Sequence, residues 1–213
     1  EEVQFVLDHA ARYLTKDPTP TDVLSIYAGL RPLVNSGAKR TAALPRDHLI
    51  RVEKSGLITI TGGKWTTYRK MAEDVVDLLP GLTGLPKSPC RTVELPIHGH
   101  GTNHEEDPSH RGSDVEAVNE LTRMKPECGE RIHPDLPYRA GEVVWAARHE
   151  MARTVEDILA RRTRGLFLNA KASVEAAPRV ASLLTDELSR NARWTTEQTE
   201  SFARLAKGYM MRD

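Results

Sequence analysis

Hydrophobic residues in the first segment recur at three- and four-residue steps: Val3, Val6, Leu7, Ala10 and Leu14. That spacing predicts one face of an amphipathic helix. Asp17-Pro18-Thr19-Pro20 ends it. Val23 to Tyr27 reads as a strand, running into Ala28-Gly29-Leu30-Arg31-Pro32-Leu33-Val34, and a polar loop follows from Asn35 to Arg40. Two short strands are expected next, at His48–Val52 and Leu57–Thr61, joined by Glu53-Lys54-Ser55-Gly56. A Ser-Gly step between β-branched runs marks a hairpin turn. The second strand leads into Gly62-Gly63-Lys64-Trp65-Thr66-Thr67-Tyr68-Arg69. Helical spacing resumes with Met71, Ala72, Val75, Val76 and Leu79, so the local order is strand, glycine turn, helix.

Residues 80 to 113 break this rhythm. Pro80, Pro86, Pro89 and Pro96 interrupt it, and His98, Gly99, His100, Gly101 and His104 follow. This stretch reads as linker and loop at a domain boundary. Beyond it the pattern is almost all helical. Val115, Val118, Leu121 and Met124 form one stripe; Val143, Val144, Ala147 and Met151 form a second. Val155, Ile158 and Leu159 form a third, with Thr154 as N-cap. Asn169 caps a helix expected to reach about Leu188, with Pro178 kinking it from inside. Thr195 and Gln198 have capping-box spacing ahead of Phe202, Leu205 and Ala206.

The expected fold class is α+β: a short strand-rich part followed by a mostly α-helical domain. The expected division is 1–80, a linker and loop over 81–113, and a helical domain over 114–213. At 213 residues the chain fits one large domain or two small ones. Aromatic residues are only 5%, so the core must be aliphatic. Thirty basic residues balance thirty acidic ones. That balance speaks against whole-chain attraction to nucleic acid or anionic lipid, and leaves local patches open. Cys90 and Cys128 are too few for a disulfide framework or a zinc site and read as free thiols. No apolar run approaches the ~20 residues of a membrane helix, and no signal-peptide pattern is present. The chain opens Glu1-Glu2-Val3 without an initiator Met, which reads as processing or as a piece of a longer protein.

The chemistry concentrates at Gly62-Gly63-Lys64. Two glycines after a strand allow close backbone approach and positive φ. The helix start supplies free N–H groups and partial positive charge, and Lys64, Thr66 and Thr67 lie in its first turn. This set suits an anion: a phosphate, or the negative N1–O2 edge of a reduced flavin. It is not a P-loop, which would need glycine where Ile58 stands. An ordinary strand-to-helix turn capped by threonine reads equally well. Arg31 precedes Pro32, which steers it out of helical geometry. It calls for an anion, either a structural carboxylate or a substrate phosphate. Arg46 has Asp47 beside it as a ready partner. His98, His100, His104 and His110, with Glu105, Glu106 and Asp107, match a metal site in composition but in no ligand spacing, so no metal site is expected. His149-Glu150 opens like a zinc-protease helix but carries Arg153 where the second histidine is required. Arg161-Arg162-Thr163-Arg164 fits a helix end with salt bridges to acids such as Asp157; an anion or lipid site is the other reading.

In tandem these blocks resemble the C-terminal part of FAD-dependent, quinone-linked glycerol-3-phosphate dehydrogenases. The blocks are Tyr27 to Val34, Pro45 to His48, Ser55 to Ala72, Ile132 to Tyr138 and Val143 to Arg164, and they span nearly the whole chain. The resemblance implies oxidation of sn-glycerol 3-phosphate to dihydroxyacetone phosphate, with hydride passed to FAD and electrons to quinone. It implies that Arg31, Arg46 and Lys64 are catalytic and substrate-binding. It also implies that Gly62, Gly63, Lys64, Thr66 and Thr67 meet the flavin. A peripheral place at the inner membrane of the cytoplasmic side and a homodimer belong to the same expectation. The Gly-x-Gly-x-x-Gly dinucleotide fingerprint is absent; Gly99-His100-Gly101 lacks the third glycine. The chain is therefore expected to be a C-terminal fragment, inactive alone, whose residues 1–80 are the end of the FAD and substrate region. Two alternatives stand beside this: an oxygen-using glycerol-3-phosphate oxidase, and a helical module for dimerisation or membrane-surface docking.

Overall fold

The computed structural model describes residues 1–30, 47–100 and 111–211. It is α+β, with one two-stranded sheet and otherwise helices. Its residues cluster into two units. Glu1–Ala28 and His98–Asp213 form a helical unit, and Gly29–Ile97 form a hairpin–helix unit. These seams fall elsewhere than 80 and 113, which composition alone suggested.

The helical unit holds the core. Helix α1 spans Glu2–Ala11, α3 Val115–Met124 and α4 Ala140–His149. After a π-helical segment at Asp157–Arg162 come α5 (Gly165–Leu168), α6 (Ala170–Glu187) and α7 (Ala192–Ala206). Helix α6 is central. Ala172, Ala176, Ala177, Val180, Ala181 and Leu184 are all buried along it, in one cluster with Val143 and Ala147 of α4 and Phe202 and Ala206 of α7. The alanines let neighbouring helices approach closely, and the branched residues fill the space between. Pro178 lies inside α6 as expected. Between α3 and α4, Ile132, Leu136 and Tyr138 are buried beneath an isolated bridge from Arg131 to Arg139.

Several ends are set by side chains. Asn169 Oδ1 accepts from the Ala172 N–H at 3.0 Å, the cap expected for α6. Asn191 does the same for Trp194 at 3.0 Å, so the N-cap of α7 lies four residues before Thr195. Thr195 and Gln198 are not its cap. Their side chains serve tertiary contacts instead: Thr195 Oγ1 meets Thr185 Oγ1 at 2.6 Å, and Gln198 Oε1 accepts from the Val155 N–H at 3.2 Å. Thr154 does cap its segment, accepting from the Asp157 N–H at 3.0 Å. Asp157 reaches back to the N–H groups of Arg153 and Thr154, each at 3.0 Å. Helix α4 stops at His149, and Met151 is thrown out of the expected stripe by a left-handed backbone (φ 56°).

Val23 to Tyr27 is not a sheet strand. It is held by single hydrogen bonds: Ile26 N–H to the Tyr209 carbonyl at 2.8 Å, Ala170 N–H to the Leu24 carbonyl at 3.0 Å, and Ser25 Oγ to the Leu166 carbonyl at 2.8 Å. The alternating pattern specified extended backbone, but among the described residues no strand lies alongside to make a ladder.

The hairpin–helix unit has β1 (His48–Val52) antiparallel to β2 (Ile58–Gly62), in the register Ile50 opposite Ile60 and Val52 opposite Ile58. Helix α2 spans Tyr68–Thr83 and runs through Pro80, which was expected to end it. In the last turn the missing N–H costs one hydrogen bond, and the stop falls to Gly84 at φ 74°. No described residue of this unit is buried.

Burial pushes the Asp157 carboxyl upward, but the N–H groups of Arg153 and Thr154, the Thr154 hydroxyl and Arg161 outweigh it and hold the carboxyl below its ordinary range. Its stabilising effect is therefore complete above the unfolded-chain value of about 3.9 and is lost as pH falls through the lower folded value. Asp157→Asn should cost about 0.5–2 kcal/mol in urea unfolding at pH 7, with the gap to wild type closing below about pH 4.

Candidate functional site

The glycine turn sits where β2 hands over to α2. β-branched cross-strand pairs fix the hairpin, and Gly56 at φ 87° closes its turn, with the Gly56 N–H bonded to the Glu53 carbonyl at 2.9 Å. Gly62 and Gly63 both take φ 75°, a region costly for other residues. Gly63 has a second reason to be glycine. A Cβ there would stand 2.6 Å from Met71 Sδ and 3.2 Å from His48 Cβ. The backbone thus presses against α2 and the first residue of β1 at once.

Lys64 is extended (φ −130°, ψ 150°) and leads into a 3-10 turn at Trp65–Thr67. Thr67 locks that turn. Its hydroxyl donates to the Lys64 carbonyl at 2.9 Å and accepts from the Lys64 N–H at 3.3 Å, and its own N–H meets the same carbonyl at 3.0 Å. The Trp65 and Thr66 N–H groups open the turn and have no partner within it. Lys64, Trp65 and Thr66 are exposed, Trp65 at 88%. The Trp65 ring lies 5.8 Å from the Tyr68 ring.

Charge behind the turn is neutralised. His48 Nε2 lies 3.0 Å from Asp74, and Lys70 Nζ lies 2.7 Å from the other oxygen of Asp74. The Lys70 hydrogen bond holds the Asp74 carboxyl below its ordinary range. Arg69 pairs with Glu73 at 2.5 Å and reaches Thr92 Oγ1 at 3.1 Å, and it likewise depresses Glu73. The Arg69–Glu73 and Lys70–Asp74 spacings were readable as i,i+4 helix pairs; the His48 link comes from another element and was not.

The structure therefore brings Gly62, Gly63, Lys64, Thr66 and Thr67 onto one exposed turn. Arg31 and Arg46 lie outside the described residues. The arrangement offers an ammonium, open backbone donors and an aromatic face. These residues fit contact with an anionic ring edge such as that of a flavin. Nothing in the sequence supplies the fingerprint that would hold a dinucleotide's pyrophosphate.

Several of the remaining sequence candidates that lie among the described residues make structural contacts. His98 pairs with Asp114 at 2.8 Å, while most of the histidine cluster lies outside the described residues. Among the described residues no three ligands converge as for a metal. Glu150 is held by Arg111, and its carbonyl accepts from Arg162 at 2.6 Å. Arg161 bonds Glu156 and, at 3.0 Å, Asp157. Cys90 is exposed and Cys128 buried, both free, with burial pushing the Cys128 thiol up. No described helix is long and apolar enough to cross a membrane.

Residues 58–199 match the family described as the C-terminal domain of alpha-glycerophosphate oxidase. The chain is 37% identical to the probable mitochondrial glycerol-3-phosphate dehydrogenase of Caenorhabditis elegans, over 97% of this chain and 32% of that protein. It is 36% identical to the mitochondrial glycerol-3-phosphate dehydrogenase of Mesocricetus auratus, over 88% of this chain and 29% of that protein. It is 33% identical to the human one, over 100% of this chain and 33% of that protein. The chain thus spans about a third of the length of these curated relatives.

Gly63→Ala should strain the turn by about 1–3 kcal/mol. In the longer protein this is expected as a loss of about tenfold or more in amide hydrogen-exchange protection at the start of α2. Unchanged protection would show that Met71 gives way freely.

Proposed function

The chain belongs to the family of alpha-glycerophosphate oxidase C-terminal domains, and we propose that it is the C-terminal part of an FAD-dependent glycerol-3-phosphate dehydrogenase. The reading is carried by the alignment of almost the entire chain with proteins named for that activity. The exposed turn at Lys64 supports it from the structural side.

The substrate is sn-glycerol 3-phosphate and the product dihydroxyacetone phosphate. The secondary alcohol loses a hydride from C2 and a proton from its hydroxyl. FAD, when bound, supplies the hydride acceptor. Gly62, Gly63, Lys64, Thr66 and Thr67 would border its ring. Gly63 allows the close approach, Thr67 holds the turn in shape, and Lys64 with the open N–H groups sets positive charge beside a negative edge. Arg31 and Arg46 are assigned from their motifs: Arg31 to the phosphate or the reacting oxygen, Arg46 to a second cationic contact. Three cations suit a phosphorylated alcohol.

In this reading the Gly29–Ile97 unit closes the flavin and substrate region, while Glu1–Ala28 joins His98–Asp213 in the helical domain, in place of the expected division at 80 and 113. Quinone is the proposed electron acceptor, with the longer protein held peripherally at the inner membrane, as a homodimer. An oxygen-using oxidase differs only in the acceptor, and oxygen consumption by the longer protein separates the two. The reading as a separate membrane-docking module has less support, because Arg161 and Arg162 are already engaged within the helical unit.

Titration of the 213-residue chain with FAD is expected to show no tight binding, since the adenine and pyrophosphate sites belong to the rest of the protein; submicromolar affinity would contradict this. In the longer protein, Lys64→Ala and Arg31→Ala should each lower turnover by about 10²-fold or more, the loss of a few kcal/mol of charge stabilisation. Near-normal steady-state kinetics in both would remove them from the site.

A further inference from the structure

His48 touches both supports of the glycine turn. It is the first residue of β1 and stands opposite Gly62 in the hairpin register. Its Cβ lies 3.2 Å from where a Cβ on Gly63 would be, so its stem borders the space that the glycine leaves. Its ring then reaches α2, with Nε2 3.0 Å from an oxygen of Asp74. A carboxylate only accepts, so Nε2 carries the proton of this bond. The other oxygen of Asp74 is held by Lys70 at 2.7 Å, one helical turn back along α2. Asp74 is therefore fixed on its own helix and offers His48 a set anchor.

Met71 and Asp74 stand three residues apart on one face of α2, and both meet the start of β1 and its turn: Met71 at Gly63, Asp74 at His48. No described residue of the hairpin–helix unit is buried. Packing alone therefore holds the helix to the turn weakly, and a polar tie takes a larger share. This tie is partly shielded, with the His48 and Asp74 side chains 21% and 30% exposed. That places it above an ordinary surface ion pair, which water and salt weaken. Lys64 follows directly on two glycines, whose backbone is otherwise free to swing.

We infer that His48 is a positioning residue for the Lys64 turn: its ring is a strut from the Gly62–Gly63 backbone to Asp74, and it fixes how Lys64 and the open Trp65 and Thr66 N–H groups are presented. The strut itself is independent of what the turn binds. Its effect on turnover rests on the proposed reading of that turn as the flavin edge.

Two measurements on the longer protein test this. His48→Leu should lower amide hydrogen-exchange protection at residues 64–67 by about tenfold or more, and Asp74→Ala, which removes the anchor from the helix side, should do the same. His48→Gln keeps an N–H donor at the end of the side chain and should restore protection to within about twofold. In steady-state kinetics, His48→Leu should cost about tenfold in turnover when Lys64 is present, and less than about twofold in a Lys64→Ala background, because the strut acts through that lysine. Equal fold-losses in the two backgrounds would overturn the inference, since a general loss of stability does not depend on Lys64. Unchanged exchange at 64–67 in both His48→Leu and Asp74→Ala would overturn it as well. Normal turnover in Lys64→Ala alone would instead remove the flavin-edge reading, and the exchange data would still decide whether His48 holds the turn.

Discussion

The helical unit depends on one constraint: α6 must be buried along most of its length, and its sequence allows this only because small and branched apolar residues share that face. Ala172, Ala176, Ala177 and Ala181 let neighbours come close, while Val180 and Leu184 lock them in place. Helices α4 and α7, the Ile132–Tyr138 loop and the π-helical segment all contribute to this one cluster. Polar groups at its margins are placed with the same economy. Asn169, Asn191 and the reciprocal Thr154–Asp157 pair satisfy helix-start N–H groups that the core would otherwise leave unmet.

The hairpin–helix unit follows a different logic. Its geometry is specified locally, by cross-strand pairing, by glycines at positive φ and by ion pairs along α2. None of its described residues is buried. The chemistry proposed above falls on that unit, at a turn where a Cβ on Gly63 would meet Met71 and His48 and where Lys64 and Trp65 are exposed.

Much of this was legible in the sequence, because local chemistry decides it. The hairpin and its Ser-Gly turn, the strand–glycine–helix order, and the caps at Thr154 and Asn169 follow from short-range rules. The misreadings share one cause, a tertiary partner overruling a local pattern. Thr195 and Gln198 have capping spacing, yet Thr185 and Val155 claim their side chains. Val23–Tyr27 alternates like a strand but meets isolated carbonyls and N–H groups instead of a ladder. Met151 continues a helical stripe on paper, and the left-handed turn after α4 ejects it. Of the candidate site, the glycine turn was readable from residue types. The steric demand of Met71 on Gly63 was not, since it depends on how the helix folds back onto the turn.

The stitching of residues 24–26 onto the far end of the chain bears on how the molecule is made. Ser25 bonds a carbonyl 141 residues away, and its neighbour Ile26 bonds Tyr209. On a ribosome residues 24–26 emerge before their partners and must stay unpaired while the hairpin and the later helices are synthesised. Closure of the helical unit through these bonds thus waits for Leu166, Ala170 and Tyr209, and long-range closure of this kind is slow. Until Tyr209 clears the exit tunnel, the nascent chain carries an unsealed seam, and that interval is when a chaperone would matter most.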